Sequence, residues 1–222
     1  MTLPRRLAAE GLGSAFLLIA VVGSGIMAER LAGGNDAIAL LANSIATGGA
    51  LVALIVTFGP ISGAHFNPAV SVALAARGEV KWADVPPYLV MQFAGAVAGV
   101  AAAHAMFGLP LLDWSLKARP GLGQMWAEFL ATLGLLAVVL SCVASGSRAV
   151  PYAVAAYITG AYWFTSSTSF ANPAVTVARS LTNTFAGIGR NDVPGFLTAQ
   201  AAATGIAVLL FGWFFRRSAE DA

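Results

Sequence analysis

Two carboxylates, Glu10 and Glu128, stand inside apolar runs, in the matching phrases AEGLGSAFLLIAVV and AEFLATLGLLAVVL. Paired carboxylates can do general acid–base work when they flank a reacting bond or pair with a nucleophile. Neither of these has a histidine or serine set near it in the pattern, so no catalytic residue, metal ligand set or cofactor is expected, and the chain does not read as an enzyme. An acid in an apolar helix points instead to a buried, hydrogen-bonded role. The second recurring element is the triplet Asn67-Pro68-Ala69, met again as Asn172-Pro173-Ala174, each followed by valine. Asparagine is a strong N-cap, and proline fits the first helical position, where its missing N–H costs nothing. One copy would be a plain helix start. Two copies in corresponding places of a repeat call for a shared function.

The elements that hold these residues belong in a membrane. Of 222 residues, 58% are hydrophobic and 10% charged, against about a quarter charged in soluble domains. The net charge of +2 and the lack of any basic run exclude nucleic acid as a partner. The single cysteine, Cys142, excludes an internal disulfide and reads as a small buried residue. The N-terminal stretch has the basic start and apolar middle of a secretory signal, but it is long enough to span and contains Glu10, so it reads as a first transmembrane helix. Six stretches have the length a span needs, about 20 apolar residues: 7–28, 37–58, 86–108, 124–146, 150–169 and 194–215. Two shorter helical segments begin at Asn67 and Asn172 and run to Arg77 and Thr182. At about 16 Å each, they reach only halfway through a hydrocarbon core of roughly 30 Å.

The chain repeats itself. Glu10 matches Glu128, FNPAVSVALAAR matches ANPAVTVARSLT, and Gln92 matches Gln200. Repeat one covers about 1–108 and repeat two about 124–222, with 109–123 as linker. Three spans and one half-span per repeat invert the second copy relative to the first. With both termini cytoplasmic, Arg5, Arg6, Arg77, Lys81, Arg148, Arg216 and Arg217 lie inside, and Arg30, Lys117, Arg119, Arg179 and Arg190 outside. The paired arginines at each end favour that orientation. Glycines in the first and third spans, among them Gly11, Gly13, Gly23, Gly25, Gly95 and Gly99, suit close helix packing.

Two half-helices meeting at the midplane place their N-termini face to face, each with about half a positive charge. Cations are repelled there. The two asparagine side chains cap their helices and still offer N–H groups to a hydroxylated solute. In these features the sequence resembles the aquaporin, or major intrinsic protein, family along nearly its whole length, on SGAHFNPAV, the second NPAV, the two glutamates and the six-plus-two pattern of segments. The resemblance implies an all-α membrane fold of six transmembrane helices and two re-entrant half-helices, a homotetramer with one pore per subunit, and Glu10 and Glu128 as braces of the re-entrant loops. His65, beside the first triplet, is expected to line the inner half of the pore, and His104 to be structural.

In most of that family an arginine stands three residues after the second asparagine and forms the narrowest point with three other positions. Carried over by spacing from the triplets, those positions are Thr47, Gly160, Ser169 and Val175. The chain therefore has neither the arginine nor an aromatic at this filter. The constriction is expected to be wide, with cation exclusion resting on the paired helix ends. Tyr162, Trp163 and Phe164 are expected at the outer interface, with one of them turned into the pore as the alternative. Arg179, one turn beyond Val175 on the same helix face, is either a solvent-facing vestibule residue or a replacement for the missing charge. The expected function is a passive channel in a bacterial inner membrane for water, polyols such as glycerol, and neutral metalloid hydroxides such as arsenite; a valine in place of the arginine resembles an arsenic-associated bacterial branch. The alternatives are an ordinary water channel and a coupled transporter.

Overall fold

The structure, a computed structural model, describes residues 1–215. Arg216 and Arg217, used above for orientation, lie outside the described residues. Regular structure within them is helical: α1 (Leu3–Leu31), α2 (Asp36–Ser62), α3 (Pro68–Ala76), α4 (Val85–Met106), α5 (Leu122–Ala144), α6 (Val150–Phe164), α7 (Pro173–Arg179) and α8 (Val193–Phe214), with a short 3-10 turn at Trp82–Asp84. Proline occupies the first or second position of α1, α3, α4, α6, α7 and α8. There its fixed φ favours the helix and no hydrogen bond is lost. The start of α2 is set instead by Asn35, whose side chain accepts from the Ala37 and Ile38 amides at 3.1 and 3.2 Å.

Five of these helices are long and apolar enough to cross a membrane. The sixth expected span, 150–169, is shorter in the structure: α6 has 15 residues and ends at Phe164. The sequence that follows explains the stop. In Thr165-Ser166-Ser167-Thr168-Ser169 the hydroxyls compete for backbone groups. Thr165 Oγ1 donates to the Ala161 carbonyl at 2.6 Å, and Ser167 Oγ accepts from the Ser169 amide at 3.2 Å. Thr168 and Ser169 then take positive φ values of 62° and 50°, leaving the helix for a loop. The half-length segments are also shorter than the spacing predicts, with nine residues in α3 and seven in α7.

Helix α1 packs against α2 and α4, α5 against α6 and α8, and α2 against α6. The α1–α4 crossing is closest at glycine. A Cβ on Gly95 would overlap the Gly11 carbonyl, and one on Gly99 the Ala15 carbonyl, which is why these backbones can touch. Arg6, near the start of α1, pairs with Asp84 at 2.8 Å and donates to the Tyr88 hydroxyl at 2.7 Å, both at the start of α4. At the other end of α1, Arg30 lies over the Phe107 ring, beside the linker. The bundle thus has an N-terminal side, carrying Arg6 and Asp84, and an opposite linker side.

Candidate functional site

The half-helices α3 and α7 are entered through loops that water cannot solvate, so the protein must satisfy them itself. Glu10, fully buried, accepts from the amides of His65 and Phe66 at 3.0 and 2.8 Å, from Ser62 Oγ at 2.6 Å and from Gln92 Nε2 at 2.8 Å. Glu128, also fully buried, accepts from the amides of Phe170 and Ala171 at 2.8 and 2.9 Å and from Gln200 Nε2 at 2.7 Å. Each glutamine donates as well to a hydroxyl on its half-helix: Gln92 to Ser71 at 2.9 Å and Gln200 to Thr176 at 2.8 Å. The two networks match in their two amides, their glutamine and the hydroxyl on the half-helix; Ser62 on Glu10 has no counterpart at Glu128 among the described residues.

These braces hold a strained backbone. Ala64 and Phe66 have φ of 52° and 49°, and Ser169 and Ala171 have 50° and 47°. They are the third and first residues before each asparagine. A non-glycine residue held in this left-handed region costs about 1–3 kcal/mol. Charge-assisted hydrogen bonds to a carboxylate are strong enough to offset it. The turned backbone presents carbonyls where they lock the loops together: Asn67 Nδ2 donates to the Ala171 carbonyl, and Asn172 Nδ2 to the Phe66 carbonyl, both at 2.8 Å. The side-chain oxygens cap the helices, Asn67 on Ala69 at 2.9 Å and Asn172 on Ala174 at 3.0 Å. One N–H of each amide is therefore committed across the loop contact, and the second remains for the lumen.

A cavity of about 120 Å³ runs past both asparagines. Most of its wall is apolar, with Leu17, Val21, Leu51, Val70 and Val139 among the contributors. His65 is on this wall, its Nδ1 3.0 Å from Ser71 Oγ and its ring 5.3 Å from that of Tyr88. His104 is away from it, buried between the Pro110 carbonyl at 2.6 Å and Thr182 Oγ1 at 2.7 Å. Of the four positions carried over by spacing, Thr47, Ser169 and Val175 line the cavity, and Ser169 Oγ has no hydrogen-bond partner among the described residues.

Gly160 does not line it. A Cβ there would face the exposed Phe164 ring at 3.6 Å. Val154, Ile158 and Tyr162 form the lumen face of α6 instead. Their four-residue spacing keeps them in one row, whereas a shift of two residues turns a side chain by about 200°. Of the three aromatics at the end of α6, Tyr162 takes the alternative place, in the pore. It is buried, and its hydroxyl lies 3.2 Å from Thr47 Oγ1, so an aromatic does stand on the wall. Trp163 and Phe164 point outward, 47% and 64% exposed. Arg179 is not a solvent-facing vestibule residue either: it is 2% exposed and borders the cavity.

The linker reaches the site, which its composition did not reveal. Arg119 donates from Nε to the Gly187 carbonyl and from Nη1 to the Ser167 carbonyl, both at 2.9 Å. Its amide donates to Asp192 Oδ2 at 2.7 Å. Burial holds its guanidinium pKa below the ordinary value, partly countered by Glu128. The one sequence signal was a lone arginine before Pro120 in a glycine-bounded stretch.

An apolar passage through a helical bundle, crossed at its centre by two inverted half-helices with inward donors, is a membrane pore of the inverted-repeat class. The chain belongs to the major intrinsic protein family, whose model matches residues 1–165; it is a multi-pass membrane channel and not an enzyme. It is 52% identical over 214 residues to the aquaglyceroporin AqpS of Rhizobium meliloti (strain 1021), covering 96% of this chain and 91% of that protein. It is 34% identical over 151 residues to aquaporin NIP6-1 of Arabidopsis thaliana, covering 68% of this chain and 48% of that one. The fold is that of the aquaglyceroporin from Plasmodium falciparum, with a TM-score of 0.73 at 18% identity over 97% of this chain and 96% of that one.

Proposed function

We propose that this channel passes small uncharged hydroxylated solutes, glycerol-like polyols and neutral metalloid hydroxides such as arsenite, together with water. The observation that carries the reading is Val175 on the cavity wall, where a short apolar side chain takes the place of a long cationic one. A polyol has a carbon backbone and a row of hydroxyls. Val175 and Ile158 suit the first, and Thr47, Tyr162, Ser169 and the free amide N–H groups of Asn67 and Asn172 suit the second. A mostly apolar lumen with a few fixed polar groups is the usual composition of a small-molecule site. Similarity to a protein named as an aquaglyceroporin supports the same solute class. The Asn67 and Asn172 helix starts form the central barrier, the protein works as a homotetramer with a pore in each subunit, and it sits in a bacterial inner membrane with both termini cytoplasmic.

One observation favours a water-selective channel instead: the Thr47–Tyr162 contact of 3.2 Å narrows the lumen on the side where glycine was expected. Swelling of proteoliposomes separates the two readings, with glycerol and arsenite as solutes and water flux recorded alongside. Entry of both solutes is the expected result, and Val175→Arg should cut solute entry far more than water flux. Water flux without solute entry would establish the water-selective reading, and an unchanged solute preference in Val175→Arg would remove Val175 from the constriction.

A further inference from the structure

Arg179 is a buried charge that the solute reading leaves unused. Its Nε donates to the Ala186 carbonyl. No described residue accepts from its two terminal nitrogens, and the ion pair found among the described residues, Arg6–Asp84, lies on the opposite side of the bundle. Buried guanidinium groups normally find a carboxylate. This one borders the lumen instead, so its open N–H groups are left to whatever fills the passage.

Its position is fixed from outside its own helix. The guanidinium carbon of Arg179 stacks 3.4 Å from the centre of the Phe170 ring, and that of Arg119 lies 5.0 Å from the same ring. Arg119 is tied to the Ser167 and Gly187 carbonyls, and Phe170 is held by Glu128 through its amide. Phe170 also packs edge-on against Phe196 at 5.2 Å. The linker, the loop before α7 and α8 therefore converge on the Phe170 ring, and cation–π contact with that ring orients the Arg179 guanidinium.

We propose that Arg179 supplies, one helical turn toward the linker side, the fixed charge and donor fork that Val175 lacks, with Phe170 and Arg119 as positioning residues. The displacement separates two jobs. The wall at Val175 sets the width, and the guanidinium beyond it rejects cations and offers N–H groups to hydroxylated solutes. The proposal rests on the cavity being the conducting pore, and not on which neutral solute it carries.

The test is cation leak. The full chain in proteoliposomes is placed under an imposed potassium diffusion potential, and sodium and proton entry are recorded with internal dyes and no neutral solute present. Removing a unit charge about 5 Å from the ion path, at an effective dielectric of roughly 25–50, changes passage about ten- to hundred-fold. Arg179→Gln should raise cation entry by that factor, and Arg179→Lys, which keeps the charge, should stay near the unmodified chain. Phe170→Leu and Arg119→Gln should leak to an intermediate degree. Arg179→Gln as tight to cations as the unmodified chain would overturn the proposal, as would Arg179→Lys leaking as much as Arg179→Gln. Should Arg179→Gln fail to fold, Phe170→Leu decides alone: increased leak supports the assignment, and unchanged leak refutes it. A chain that admits no glycerol yet leaks cations as Arg179→Gln would sink the solute reading and leave this one standing.

Discussion

Replacing Glu128 with glutamine preserves shape and removes one charge from the centre of the second loop. The carboxylate accepts from Phe170 on Oε1 and from both Ala171 and Gln200 on Oε2. A glutamine keeps one acceptor oxygen. In its better orientation it retains Ala171 and Gln200 and points an NH₂ at the Phe170 amide. One charge-assisted bond is then lost and the buried Phe170 amide left unsatisfied, at about 1.5–3 kcal/mol. The two surviving bonds weaken by about as much together, because bonds to an ion are roughly twice as strong as neutral ones. The total is about 3–6 kcal/mol. For a chain of this length each kcal/mol moves a thermal midpoint by about 2–4 °C, so a fall of roughly 10–20 °C is expected. Glu10→Gln should do about as much: with its oxygen toward Phe66 and Gln92, its NH₂ faces the Ser62 hydroxyl, which can turn to accept, and only the His65 amide is turned away. The measurements are thermal aggregation of the detergent-purified protein and solute-driven swelling. Ser169 and Ala171 hold positive φ on the braced loop, a strained backbone that a weaker brace is expected to release, so flux should fall along with stability. A Glu128→Gln protein with an unshifted midpoint and normal flux would refute the bracing role.

Two further outcomes follow from packing and from helix phase. Gly95→Ala places a methyl on the Gly11 carbonyl, where only backbone could yield. Overpacking of this kind costs about 1–3 kcal/mol or more, and a lower yield of folded protein in size-exclusion chromatography should report it, whereas Gly205→Ala, which meets nothing within 4 Å, should behave as the unmodified chain. Cys142 lies off the cavity wall while its neighbours Val139 and Val143 are on it. Mercurials should therefore leave flux in the unmodified chain intact and block it in Val139→Cys, and inhibition of the unmodified chain that Cys142→Ser abolishes would show the helix phase to be wrong.

Much of the site was legible because it depends on local rules applied twice. Asn-Pro at a helix start has a meaning within four residues. A carboxylate in an apolar run demands donors, and the same demand in both halves picked out Glu10 and Glu128; Gln92 and Gln200 were visible only as a matched pair of the repeat, and their bonds to the carboxylates needed the structure. The features that escaped depend on where loops end. The spacing predicted α6 to 169, but a run of hydroxyl residues ended it at Phe164, and Ile158 and Tyr162 rather than Gly160 took the lumen face. Gly160 and Tyr162 differ by two positions, half a turn of helix, so an offset that small exchanges lipid for lumen. Arg119 was hidden for a different reason. Its contacts, Ser167, Gly187 and Asp192, lie 48 to 73 residues away in sequence, and no periodicity marks a residue whose role is set by a loop folding back. Val175 raised the question of where the missing charge had gone, and one-turn spacing had named Arg179 as a candidate. What the sequence lacked was Phe170 as the surface on which the charge is held, since a ring stacking on two arginines is visible only once the linker and the loop before α7 have been brought together.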